Sequence, residues 1–170
     1  MAQGYEIVFG DLMFALGIPI PIRKFRTFQW VAKLLAAPAT KLPISVLYPT
    51  GDKQDQLIPN FSNWYEWATV IAGDCHYIKQ HMPDKLAGKV IVTNTTTPKD
   101  MQMFKQRGVS HVLTTTPVLE GRSFGTNMME AAITAVSGKK RPLTHSELND
   151  ILTQLKLKPT VHNLEALERS

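Results

Sequence analysis

Lys89-Val90-Ile91-Val92-Thr93-Asn94, Thr97-Pro98-Lys99-Asp100 and His111-Val112-Leu113-Thr114-Thr115-Thr116 follow one another within residues 89–116. The outer two are short apolar runs, rich in β-branched residues, that turn polar at their last positions, as strands buried in a sheet do. The middle one opens a helix. Thr97 supplies a capping hydroxyl, Pro98 suits the first helical position because the N–H it lacks would have no partner there, and Asp100 puts an acid in the first turn. Met101, Met103 and Phe104 carry the helix on, and Gly108 stops it. Strand, helix and strand this close together make a βαβ unit, which predicts two parallel strands joined by a right-handed crossover.

Two earlier segments repeat the form. Tyr5-Glu6-Ile7-Val8-Phe9 ends in Gly10-Asp11, and Thr69-Val70-Ile71-Ala72 ends in Gly73-Asp74. Together they predict one α/β domain over residues 1–170: a Rossmann-like, mainly parallel sheet with helices on both faces. No Gly-x-Gly-x-x-Gly occurs, and only four residues precede Tyr5. The expected sheet therefore lacks the first strand and glycine-rich turn of a dinucleotide fold. An edge left open by that absence predicts pairing or swapping with a second copy, hence a homodimer.

Further along, Asn127 and Glu130 are spaced as a capping box for a helix that stops at Gly138, and Thr144 and Glu147 repeat the spacing. Behind Thr144, the residues Leu148, Ile151, Leu152 and Leu155 share one face and Pro159 ends the run, so residues 144–170 read as a helix and tail. Residues 17–62 differ in kind. Pro19, Pro21, Pro38, Pro43, Pro49 and Pro59 break them into pieces, as in an insertion. Their one good helix, residues 27–37, carries Phe28, Trp30, Val31, Leu34 and Leu35 on more than one face and predicts core packing, with a subunit interface as the rival.

The chain has 170 residues, 44% of them hydrophobic, and a formal charge of +5. Its Lys and Arg are scattered except for Lys139-Lys140-Arg141, which follows Gly138 and reads as a solvated turn rather than a nucleic-acid contact. A single cysteine, Cys75, rules out an internal disulfide and a thiolate metal cluster, so no metal is expected and a reducing cytoplasm is the expected compartment. No secretory signal is visible, and the most apolar uncharged stretch, residues 12–22, is broken by Pro19 and Pro21 and too short to span a bilayer. No membrane partner is expected.

Ligands of open parallel sheets bind beyond the carboxyl ends of the strands. Asp11, Asp74, Asn94, Thr95, Thr96, Thr115 and Thr116 fall at those ends. Each has a plain alternative role as a turn or helix cap, but the set makes a polar rim. Asp11 has the sharpest reading, since an acid ending the second strand of a dinucleotide fold accepts from the ribose hydroxyls. Gly121-Arg122-Ser123-Phe124-Gly125-Thr126-Asn127 precedes a helix start and brings Gly121, Arg122, Gly125 and Thr126 to a place suited to a phosphate or carboxylate; the plain alternative is a flexible loop. His76 reads as structural, and Cys75, without a proven histidine partner, as unreactive. Trp64, Tyr65 and Trp67 read as core.

The runs at residues 6–23, Tyr48-Pro49-Thr50-Gly51-Asp52, and Thr114 through Asn127 resemble the carboxyl-terminal half of bacterial proteins labelled quinate 5-dehydrogenase or predicted amino-acid dehydrogenase, relatives of the shikimate dehydrogenases. The resemblance covers most of the chain. It implies NAD or NADP as cofactor, Asp11 at the ribose, and the loop of Asn94, Thr95 and Thr96 beside the nicotinamide. In shikimate-type enzymes the catalytic lysine and acid lie in an amino-terminal substrate domain that has no counterpart here, so the resemblance carries over no catalytic residue. The resulting expectation is the distal part of an NAD(P)-dependent oxidoreductase, inactive alone and weak in dinucleotide binding. The alternative is a non-catalytic module that binds a nucleotide or small anion, or serves dimerisation.

Overall fold

The computed structural model describes residues 4–39, 41 and 57–165, with the side chains of residues 37–39 left out. Pro43, Pro49 and the stretch from Tyr48 to Asp52 lie outside the described residues, as does the end of the predicted tail. In chain order the elements are α1 (Asp11–Leu16), α2 (Phe25–Ala39), α3 (Ser62–Trp67), β1 (Val70–Ala72), α4 (Cys75–His81), β2 (Val90–Thr93), α5 (Pro98–Gln106), β3 (His111–Thr114), β4 (Val118–Leu119), β5 (Arg122–Ser123), α6 (Thr126–Val136), α7 (His145–Gln154) and β6 (Thr160–Asn163).

A four-stranded sheet in the order β1-β2-β3-β6 forms the centre. β1, β2 and β3 are parallel, with Ile71 beside Ile91 and Ile91 beside Val112. The βαβ reading therefore holds for β2, α5 and β3, and β1 with α4 repeats it. β6 adds to the far side of β3 in the antiparallel sense, with Val112 opposite His162. The sequence predicts only a tail at Thr160–Asn163, and pairing with β3 makes it a strand.

Alternation along the strands decides where the core lies. Ile91, Thr93, Val112 and Thr114 are buried while Val90, Val92, His111 and Leu113 are half-buried. On the buried side α4 and α5 pack together, and Cys75, Ile78, Ile91, Phe104 and Val112 form one cluster with Tyr65 and Leu164. The cluster excludes water from a single side of the sheet. The opposite side is thinly covered at its margins, where Val70 and Val161 are exposed.

Two helices begin as their sequences predict. Thr97 accepts from the Asp100 N–H at 3.3 Å while the Asp100 carboxylate accepts from the Thr97 N–H at 2.8 Å. Thr144 and Glu147 make the same reciprocal pair at α7. Glu147 also receives Lys139 and Arg141, so two residues of the basic run are folded back onto a helix cap as a turn. The hydrogen bond from Arg141, followed by that from Lys139, holds the Glu147 carboxyl well below the usual range.

Four expectations need correction. Residues 5–9 are not a strand: only Phe9 forms a bridge, antiparallel, with Ile22. Asp11 accordingly does not end a strand but opens the helix α1. α6 begins at Thr126 with Gly125 as its cap residue and no side-chain cap, so Asn127 and Glu130 form no capping box, because the chain has already entered the helix before Asn127. The helix expected at residues 27–37 runs from Phe25 to Ala39, and Trp30 and Leu34 are each 76% exposed, so core packing does not account for them.

Candidate functional site

Ala72 and Val92 are register partners in the parallel ladder, so Asp74 and Asn94, each two residues further on, leave the sheet at the same level. β3 follows suit, since Thr93 and Thr114 are partners and the Thr115 N–H donates to the Thr93 carbonyl at 2.9 Å. Parallel pairing thus gathers three polar strand ends on one rim.

At the end of β1, the Asp74 carboxylate accepts from the His76 N–H at 2.9 Å and caps α4. Tyr77, one turn into α4, has its phenol pKa raised, first by burial and then by the negative charges of Asp74 and Asp11. Asp11 is delivered to this neighbourhood by α1 rather than by a strand. α1 packs on α4, and that contact carries it.

The end of β2 is covered by a structured hairpin, not a flexible loop. β4 and β5 pair through Leu119 and Arg122, and the two residues between them, Glu120 and Gly121, have φ of 51° and 77°. This is the two-residue turn whose left-handed backbone matches the twist of paired strands, and Gly121 is the residue it favours. A Cβ at Gly125 would make only ordinary contact with the Thr95 hydroxyl, 3.4 Å away, which shows how closely the residue before α6 lies to the end of β2.

Three hydroxyls fasten the hairpin to the sheet. The Thr96 N–H donates to the Ser123 Oγ at 2.8 Å, the two hydroxyls lie 2.7 Å apart, and the Ser123 N–H donates back to the Thr96 carbonyl at 3.0 Å. Thr116 Oγ1 donates to the Phe124 carbonyl at 2.6 Å. Thr96, Ser123 and Thr116 are buried and have scaffold roles.

These contacts set the start of α6 and the turn that carries Arg122 beside the strand end of Asn94 and Thr95. Thr95 sits at φ 55° with its hydroxyl donating to the Asn94 amide oxygen at 3.2 Å. Arg122 and Thr126 are exposed. α6 spans eleven residues and its N-cap residue, Gly125, supplies no side-chain acceptor to the leading N–H groups. The arrangement offers an amide, a hydroxyl, a cation and free main-chain donors: groups that bind and orient an anion or polyol.

Contacts of Thr96 with Ser123 and of Thr95 with Gly125 bring the Asn94–Thr96 strand end against the turn that holds Gly121, Arg122, Gly125 and Thr126; Asp74 follows β1 at the level of Asn94, and Asp11 lies on α1, which packs on α4. Sequence reading passed over Ser123, whose only signal was its place between Arg122 and Gly125. Cys75 is buried against Thr93, and burial followed by the Asp100 charge pushes its thiol up to about 12, which leaves almost no thiolate at neutral pH. Tyr65 is core, donating to the Ile78 carbonyl at 3.3 Å, whereas Trp67 is exposed and Trp64 lies under the Arg23 guanidinium. No helix among the described residues is long and apolar enough to cross a membrane.

No curated protein and no solved structure matches the chain. The model of the family described as Domain of unknown function (DUF8754) matches residues 1–164, and the chain belongs to that family.

Proposed function

We propose that this member of the DUF8754 family is the nucleotide-facing distal part of a Rossmann-like oxidoreductase, of quinate or shikimate dehydrogenase type, holding NAD or NADP along the polar rim. The observation that carries the reading is the fastening of the Gly121–Thr126 turn over the end of β2 by Thr96 and Ser123. It brings Arg122 and the uncapped start of α6 to the strand end where parallel sheets of this kind take their ligands. In this reading Arg122 and the α6 N–H groups meet phosphate, Asn94 and Thr95 meet the nicotinamide side, and Asp11 and Asp74 meet ribose hydroxyls. Hydride transfer itself would belong to the cofactor and to a substrate domain.

Binding by this chain alone is weak, because the pyrophosphate of a dinucleotide relies on a glycine-rich turn at the first strand, and no such motif is present in the sequence. Isothermal titration with NAD and NADP is expected to give dissociation constants on the order of millimolar or weaker. Arg122→Ala should weaken the tighter of the two further. Micromolar affinity, or a constant indifferent to Arg122→Ala, would contradict the assignment.

A second reading has its own observation. Trp30 and Leu34 are one helical turn apart on α2 and are both exposed, the makings of an interface hot spot in a dimerisation module. Light scattering separates the two: a stable dimer that Trp30→Ala converts to monomer, with no rim response to nucleotide, would favour the module.

A further inference from the structure

A groove of about 790 Å³ runs between residues 4–8 and the outer edge of β1. Tyr5, Ile7 and Val8 line one side, Trp67, Val70 and Ala72 the other, and Met13 and Ile78 lie deeper. We propose that this groove receives an extended apolar strand from a second polypeptide, which pairs with the main chain of Val70 and Ala72 and continues the sheet.

The main chain of β1 identifies the occupant. β1 pairs with β2 alone among the described strands. That pairing uses alternate residues: the Val90 N–H donates to the Thr69 carbonyl and the Gly73 N–H to the Val92 carbonyl, each at 3.1 Å. In a parallel ladder the residues between, Val70 and Ala72, direct their N–H and C=O groups the opposite way, into the groove. An edge of unpaired donors and acceptors in alternation is matched by another extended main chain, and by no small molecule as fully.

The walls add two conditions. They are apolar and open, with Tyr5 77% and Val70 53% exposed, so the strand that enters must carry apolar side chains on both faces. Residues 4–8 stand across the groove where the next strand of any incoming sheet would have to go. The proposed occupant is a single strand, which enters between residues 4–8 and β1. The same gap accounts for the failure of residues 5–9 to form a strand: a segment with strand-like sequence stands beside the sheet without the neighbour that would pair with it. The inference stands on the groove and does not depend on nucleotide binding at the rim.

Amide hydrogen exchange by NMR and peptide binding together test it. In the free protein the Val70 and Ala72 amides should exchange at least about tenfold faster than that of Ile71, which faces β2. A short fluorescent peptide of consecutive valines and isoleucines, made soluble by lysines at its ends, should bind saturably and slow both amides, while the same peptide N-methylated at alternate amides should not bind. Ala72→Pro removes only a groove-facing N–H, as proline on a sheet edge does, and should weaken the peptide at least about tenfold. Val70→Lys, at an exposed position, should act likewise. Slow exchange at Val70 and Ala72 without peptide would overturn the proposal, as would protection that rises with protein concentration, no saturable peptide binding, or equal affinity for the wild type and both variants.

Discussion

Lys79 and Asp100 form a buried ion pair at 2.7 Å between α4 and α5, and Asp100 caps α5 at the same time. Burial acts to raise the Asp100 pKa, but the hydrogen bonds from Lys79 and Thr97 outweigh it and hold the carboxyl below its ordinary value. Its contribution to stability is therefore complete above the usual carboxylate value of about 4 and is lost as pH falls through the lower folded value. Removing one partner strands the other, so Lys79→Met should cost about 3 kcal/mol in urea unfolding at neutral pH; a loss under about 1 kcal/mol would mean the pair is not sealed from water. His81 works in the opposite chemical sense with the same pH sign. Burial lowers its pKa, and the Ile58 and Phe14 carbonyls only partly restore it. The fold prefers the neutral ring, so stability is full above the ordinary histidine value of about 6.5 and declines as pH falls through it. The melting temperature should drop between pH 7.5 and pH 5.5, and His81→Gln should flatten that drop; an unchanged slope would assign it to another group. Thr97 and Thr144 were legible as caps because hydroxyl and acid sit three residues apart, whereas Ser123 was not, since its partner Thr96 is distant in sequence.

Among the elements, β2, α5 and β3 were legible because every signal is local: apolar runs, a cap, a proline at the helix start and a stopping glycine. β6 was not, because Thr160-Val161-His162-Asn163 is a short half-polar run whose only reason to be extended is the edge of β3. Residues 5–9 fail for the converse reason, having the composition of a strand without a paired neighbour. The hairpin of β4 and β5 escaped reading because its turn, Glu120-Gly121, carries only one glycine and is short of apolar flanks. Its attachment makes a prediction at this scale. Ser123→Ala leaves the Thr96 N–H buried without its acceptor and should cost about 1–3 kcal/mol, loosening the turn that carries Arg122. Faster exchange of the Ser123 and Gly125 amides would report that loosening, and unaltered exchange would deny the hydroxyls their fastening role.

For the whole molecule, parallel pairing decides both what is buried and what is offered. It places the core against α4 and α5, sends Asp74, Asn94 and Thr115 to one rim, and leaves the outer edge of β1 without a neighbour among the described strands. The strand-end positions of Asp74, Asn94 and Thr115 were legible in the sequence, whereas Thr96 serves as scaffold rather than surface and Asp11 lies on a helix. The measurement that bears most directly on the account is a titration of the isotopically labelled protein with NADP and with NAD into the millimolar range, followed by amide NMR. Shifts concentrated at Asn94, Thr95, Arg122, Gly125 and Thr126, and diminished by Arg122→Ala, are the predicted result. Saturation with those amides unmoved, or shifts confined to α2 or α7, would contradict it.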